Sequence, residues 1–315
     1  MTVQEALLLC ESSLGQKMII AFRSLATITL AFLGGISSVA AADLPAIEKT
    51  FTEGVAKLES RHGGRLGVAA LDLGDRTSVS HRGGERFAMC STFKFLLSAA
   101  VAARVDAGDG QWDRKIPYGK KDLIPWTPVT GKEENLKAGS MTVADLFEAS
   151  MTWSDNTAAN LLLGTIGGPE GLTRYLRSIG DETSRFDRIE PDLNSNVRGD
   201  ERDTSTPGAM IATMEKLLFG KSLSEASKEK LIGWLVANHT GDKRIRAAMD
   251  PAWRIGDKTG TGENGAANDI AIVWPKDRKP FLVVVFYDAA QATAEQRDTV
   301  IADAAKLVRH ALVDE

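Results

Sequence analysis

The sequence predicts a mixed α/β fold of the α+β kind, on three observations. Strand-like segments cluster at the two ends of the chain: "RLGVAALDL" from residue 65, then "NDIAIVWP" (268–275) and "PFLVVVFYDA" (280–289). From about residue 88 to 235 the pattern is mostly helical, punctuated by Gly and Pro. Amphipathic helices bracket the whole. One antiparallel sheet built from both ends, flanked by the terminal helices and interrupted by an inserted all-α domain, satisfies all three. The expected division is residues 43–86 with 237–315 for the α/β part and 87–236 for the helical part, with a site where the two meet.

Each element has a local reason. Ile47, Phe51, Val55 and Leu58 recur at helical spacing, and Gly63-Gly64 can end that helix. A second short strand is expected near "TSVSHRGG", and the polar "KDRK" joins the two late strands as a hairpin. The last helix gathers Val300, Ile301, Ala304, Leu307, Val308 and Leu312 on one face.

With 315 residues, 43% hydrophobic and 25% charged, the chain can bury one large core or two intimate ones. A net charge of -4 excludes the basic footprint of a nucleic-acid binder. The histidines, His62, His81, His239 and His310, are scattered outside any zinc pattern, so neither metal nor cofactor is expected.

The segment Met18–Ala42, "MIIAFRSLATITLAFLGGISSVAAA", has basic Arg23, a short apolar core and an Ala triplet before Asp43. That is the layout of a secretory signal peptide cleaved after Ala42. Glu5 and Glu11 suit its basic leader poorly, so translation is expected from Met18. Gly34, Gly35, Ser37 and Ser38 break the apolar run short of the roughly 20 residues a span needs, so no membrane anchorage is expected after cleavage. Export to the periplasm or beyond follows. Cleavage also removes Cys10 and leaves Cys90 without an intramolecular partner in an oxidising compartment.

The chemistry begins at "AMCSTFKFLLSAAVAARV" (88–105), which reads as a buried helix yet carries a lysine near its start. Lysines are almost never fully buried unless paired or put to use. Ser91 and Lys94, three residues apart, share a helix face, with Ser91 in the first turn where free N–H groups favour negative charge. A lysine of depressed pKa can deprotonate a serine, which is otherwise a poor nucleophile. The spacing recurs at Ser227 and Lys230, in a charged segment expected to be a solvated helix, so it needs company. "TWSDNTAANLLL" places Ser154, Asp155 and Asn156 at a helix start, where simple capping would also put them. "IGDKTGTGENG" places Lys258-Thr259-Gly260 at a strand end before a Gly-rich turn, where a lysine ordinarily faces solvent.

Together and in this order, S-x-x-K, S-D-N and K-T-G resemble the class A serine β-lactamases, members of the penicillin-recognising serine enzymes. The resemblance runs from about residue 45 to 312 and includes "KDLIPWTPVT", "DTSTPGAM", "KRIRAAM" and "RIEPDLNSN". It implies a five-stranded antiparallel sheet with helices, an all-helical domain, and an active site in the cleft between them. It further implies that Ser91 attacks a lactam carbonyl, its proton leaving to Lys94 or, through a water, to Glu190. The N–H groups of Ser91 and Thr261 would form the oxyanion hole. Ser154, aided by Lys258, would pass a proton to the departing nitrogen, and Asn156 would bind the side-chain amide of the substrate. Glu190 and Asn194 would activate the water that hydrolyses the ester. Glu190-Pro191 matches a place where the family has a cis peptide bond. Lys258, Thr259, Gly260 and Thr261 would meet the substrate, and Arg244 its carboxylate, with Arg246 a competing candidate. Trp126 matches an aromatic wall at the cleft rim.

Cys90, Trp126, Thr261 and Arg244 resemble the carbapenem-hydrolysing branch, which typically bridges this cysteine to one just past K-T-G. Here that second position is Gly262, so no bridge forms, and the substrate range is open among penicillins, cephalosporins and carbapenems. The loop "GKEENLKAGS" is longer than usual for the family. A D,D-peptidase and a sensor that holds its acyl group share the first three motifs, but Glu190 argues against both. A monomer acting on a small-molecule β-lactam is expected.

Overall fold

The computed structural model describes residues 40–313, and from Ala46 onward the chain forms one compact unit. The expected signal peptide and the start at Met18 lie outside the described residues, except that Ala40–Ala42 open helix α1 (Ala40–His62). No helix among the described residues is long and apolar enough to cross a membrane. Gly63 and Gly64 end α1 at φ 72° and 81°, a backbone region open to glycine at little cost.

Strands β1 (Arg65–Asp72) and β2 (Ser78–His81) follow, then β3 (Phe87–Ala88), a 3-10 turn (Cys90–Thr92) and α2 (Phe93–Asp106). The helical stretch holds β4 (Lys115–Pro117), α3 (Glu133–Ala138), β5 (Ser140–Thr142), α4 (Val143–Thr152), α5 (Asn156–Thr165) and α6 (Gly168–Ser178). It closes with β6 (Thr204–Ser205), α7 (Pro207–Phe219), α8 (Glu225–Val236) and the short α9 (Ile245–Ala248). The chain ends with β7 (Arg254–Thr261), β8 (Ala266–Trp274), β9 (Phe281–Asp288) and α10 (Ala294–Leu312).

Five strands form one antiparallel sheet in the order β2-β1-β9-β8-β7, so the first strands and the last three do meet. Alternation along the strands divides the apolar residues between two cores. Leu66, Val68, Ala70, Val283 and Val285 pack with Phe51 and Val55 of α1 and Val300, Ile301 and Ala304 of α10. Both terminal helices therefore cover the same face. Ala69, Leu71, Leu282, Val284 and Phe286 face the other way, into a core shared with α2, α4, α5 and α7. With both faces covered, β9 reads as an almost unbroken apolar run, and so does β8 beyond Asn268 and Asp269.

The solvated helix expected at Ser227–Lys230 is solvated only in part. Ser227 and Lys228 are buried, and the Ser227 hydroxyl donates to Asp106 at 2.7 Å, tying α8 to the end of α2. Lys230 is exposed. The charges of that segment mark one face only, a distinction that composition does not make.

Candidate active site

Ser91 lies in the 3-10 turn just ahead of α2 instead of inside the helix, because Cys90 has φ 47° and breaks the helical path behind it. Lys94 is in the first turn of α2, and its ammonium still reaches Ser91 Oγ at 2.9 Å. The lysine is fully buried and also donates to the Ser154 carbonyl (2.9 Å), Ser154 Oγ (3.2 Å) and Asn156 Oδ1 (2.6 Å). Glu190 Oε1 stands 3.0 Å away. Burial lowers the pKa of Lys94, against the opposing pull of the Glu190 carboxylate.

The S-D-N segment splits its labour. Asp155 is the cap: it accepts from Ala158 N–H of α5 and from the backbone and hydroxyl of Thr130, fixing the loop that carries Trp126. Ser154 and Asn156 on either side turn to the lysine. Ser154, held at φ 58°, accepts from both Lys94 and Lys258, each at 3.2 Å. Asn156 also donates to the Pro125 carbonyl at 2.9 Å.

Glu190 precedes Pro191 in a cis peptide and is buried. Ser91 Oγ donates to its Oε1 at 3.4 Å, and Asn194 Nδ2 donates to its Oε2. Asn194 Oδ1 is buried with no hydrogen-bond partner among the described residues. A residue that the sequence does not single out sets this loop: Asn160 of α5 accepts from Glu190 N–H at 3.0 Å and donates to Glu190 C=O at 2.9 Å.

Strand β7 forms the opposite wall. A Cβ on Gly260 would fall 2.8 Å from the Met89 carbonyl and 3.2 Å from the Ser91 nitrogen, so glycine lets the strand pass this close to the serine. Lys258 is fully buried, and burial together with the Lys94 charge lowers its pKa to about 7. Thr259 Oγ1 meets Thr240 Oγ1 at 2.6 Å. Arg244 Nη2 donates to Thr261 Oγ1 at 2.8 Å, while Nη1 is spent on the Gly260 and Asn268 carbonyls and Nε on Asp298 at 2.7 Å. Few of its N–H groups remain to meet a ligand. Arg246 turns to Asp257 and the carbonyls at the end of α8, so of the two competing arginines only Arg244 lines the cleft.

The cleft holds about 410 Å³ and is lined by Ser91, Trp126, Ser154, Asn156, Asn194, Thr240, Arg244, Thr259 and Thr261. Lys94, Glu190 and Lys258 lie buried beneath that lining. Trp126 is 63% exposed, at φ 68°, with its indole N–H donated to the Trp153 carbonyl at 3.1 Å. Of the lining, Thr240 escaped the sequence reading, as did Asp298 behind Arg244. Neither stands in a motif, and only the fold brings them to β7.

Cys90 is buried, and burial pushes its thiol well above the usual range. Position 262 does face it: a Cβ on Gly262 would fall 2.6 Å from Cys90 Sγ and equally close to the Asn194 carbonyl.

Residues 50–312 match the β-lactamase enzyme family. The chain is 46% identical to the β-lactamase OXY-2 of Klebsiella oxytoca, covering 81% of this chain and 87% of that protein. It is 46% identical to the carbapenem-hydrolysing β-lactamase KPC, also of Klebsiella oxytoca, over 89% of this chain and 93% of that one. Among solved structures, an ancestral class A β-lactamase matches with TM-score 0.81 at 55% identity, covering 83% of this chain and all of its own. On these matches and this fold, the chain belongs to the β-lactamase enzyme family and is a class A serine enzyme that hydrolyses β-lactams.

Proposed function

We propose that the cleft residues divide the hydrolysis as follows. Ser91 Oγ attacks the lactam carbonyl as Lys94, in the neutral form that burial favours, accepts its proton, and the N–H groups of Ser91 and Thr261 hold the oxyanion. The contact that carries this reading is Lys94 Nζ to Ser91 Oγ at 2.9 Å, shorter than the 3.4 Å from Ser91 Oγ to Glu190. As the C–N bond breaks, Ser154 protonates the nitrogen and is resupplied by Lys94 or Lys258, both of which it touches. The product of this half is an ester on Ser91. Glu190, with Asn194 Oδ1 as a second acceptor, then orients and deprotonates a water that cleaves the ester. Lys258, Thr259, Gly260 and Thr261 bind the substrate, its carboxylate meeting Lys258 and the hydroxyls of Thr259 and Thr261. Arg244 acts on that carboxylate chiefly through Thr261. Asn156 binds the side-chain amide, and Trp126 forms the rim.

In this reading residues 43–86 with 237–315 and residues 87–236 are the two lobes of the cleft. The protein works as an exported monomer, processed after Ala42. Penicillins and cephalosporins are its first substrate classes. Carbapenems are a second reading, favoured by the relative named for that activity and by Trp126, Thr261 and Arg244 lining one cleft. Gly262 in place of a cysteine weighs against it.

Residues 43–315 mixed with a chromogenic cephalosporin are expected to turn over many equivalents. Glu190→Ala should acylate at Ser91 and stall, leaving a covalent adduct visible by mass spectrometry. If Glu190→Ala fails to acylate, Lys94 does not suffice as the base for the first step.

A further inference from the structure

Of the six tryptophans, only Trp126 and Trp153 are largely exposed; Trp126 lines the cleft, and the Trp153 carbonyl accepts its indole N–H. Trp153 immediately precedes Ser154, and exposed His239 immediately precedes Thr240, two residues that line the cleft. The two segments are laced together here. His239 N–H donates to the Thr152 carbonyl at 3.0 Å, and the Trp153 and His239 rings lie 4.2 Å apart between centroids, 31° from parallel. Trp153 nevertheless keeps 44% of its surface exposed, and its carbonyl holds the indole of Trp126. Exposed aromatic rings fixed beside a cleft are a feature of ligand sites, since they present apolar area with little rotamer entropy left to lose.

We propose that the stacked Trp153–His239 pair is a specificity-determining end wall that favours β-lactams carrying a planar aromatic substituent on the carboxylate-bearing ring. This rests on Ser91 being the nucleophile and β7 the carboxylate wall. A lactam carbonyl at Ser91 with its carboxylate on Thr259 and Thr261 lays the second ring along Ser154 and Thr240. A group projecting from that ring beyond those two residues meets Trp153 and His239. A flat aromatic group stacks there, whereas a methyl group does not reach.

The test uses two cephalosporins with the same 7-acylamino group, one bearing 3-methyl and the other 3-styryl. Trp153→Ala is expected to raise KM for the styryl compound about three- to tenfold, the range of one aromatic contact, with kcat little changed. The methyl compound should stay within about twofold, and Trp153→Phe, which keeps a ring, should retain most of the styryl preference. His239→Ala, at an exposed position, carries the same expectation in weaker form should Trp153→Ala fold poorly. If the unaltered protein hydrolyses both compounds and Trp153→Ala shifts both alike or neither, the end wall is refuted and the assignment of Ser91 stands. If the unaltered protein hydrolyses neither, the assignment of Ser91 falls and takes the end wall with it.

Discussion

Asn160 gives the sharpest test of how Glu190, the carboxylate proposed to drive deacylation, is held. Its side chain closes two hydrogen bonds on the backbone of Glu190, one as acceptor at 3.0 Å and one as donor at 2.9 Å. Asn160→Ala removes both and leaves an N–H and a C=O without partners beside a buried carboxylate. Each such group costs about 1–3 kcal/mol, so a total of about 2–4 kcal/mol is expected once the loop relaxes. At roughly 2–4 °C per kcal/mol for a chain of this size, the melting temperature should fall by about 4–16 °C. The catalytic effect should be lopsided. Ser91 and Lys94 stand on α2 and the turn before it, which Asn160 does not hold, whereas Glu190 in its proposed role must place a water to within an ångström. A displacement of that order costs about a hundredfold in rate. Deacylation should therefore slow far more than acylation, seen as a stoichiometric burst followed by a slow steady rate and as an accumulating acyl-enzyme. Asn160→Asp separates the two bonds, since a carboxylate can still accept from Glu190 N–H but cannot donate to its carbonyl. Wild-type deacylation and melting in Asn160→Ala would refute the clamp.

Two further outcomes follow from the β7 wall. Asp298→Ala frees Arg244 Nε and slackens the guanidinium that holds Thr261, so KM for carboxylate-bearing substrates should rise about tenfold with kcat nearly unchanged; an equal fall in kcat would place Asp298 elsewhere in the reaction. Lys258, lowered to about 7 by burial and the Lys94 charge, loses its proton as pH rises through that value. The basic limb of kcat/KM should lie near there and move upward in Lys258→Arg, and a limb that ignores this substitution would show that another group titrates. The sign for stability is the opposite: between about 7 and the unfolded value near 10.4 the unfolded chain holds the extra proton, so this lysine favours the folded state more as pH rises.

The parts of the site legible in the sequence are those that local geometry dictates. Ser91 and Lys94 lie three residues apart along nearly helical backbone, and Asp155 caps α5 as its residue type predicts. The two late strands and the last helix emerged from periodicity alone. What stayed illegible depends on register and distance. Asn160 is a polar residue on a helix, indistinguishable from a solvated one until the Glu190 loop is laid against it. Thr240 and Asp298 matter only because β7 passes beside one and Arg244 reaches the other. Arg244 reads from its motif as a carboxylate fork, and only the fold shows that Asp298, two carbonyls and Thr261 occupy most of its N–H groups. Ser227 misled in the opposite sense, since a charged neighbourhood hid a buried hydroxyl.

The two buried lysines explain why so much polar side chain converges beneath one small cleft. Lys94 faces more oxygen acceptors than its three hydrogens can satisfy, drawn from Ser91, Ser154, Asn156 and Glu190. Burial favours the neutral amine that can take the Ser91 proton; once protonated, Lys94 is stabilised by Glu190 and disfavours a proton on Lys258 across Ser154. A carboxylate arriving at β7 reverses that balance, because a negative charge beside Lys258 raises its proton affinity. On the proposed roles, binding the anion readies a protonated Lys258 next to Ser154, the hydroxyl assigned to protonate the leaving nitrogen. The carboxylate common to β-lactam antibiotics is in this view more than a handle: it switches on the proton supply of the first step, and only when the ring is seated in the cleft.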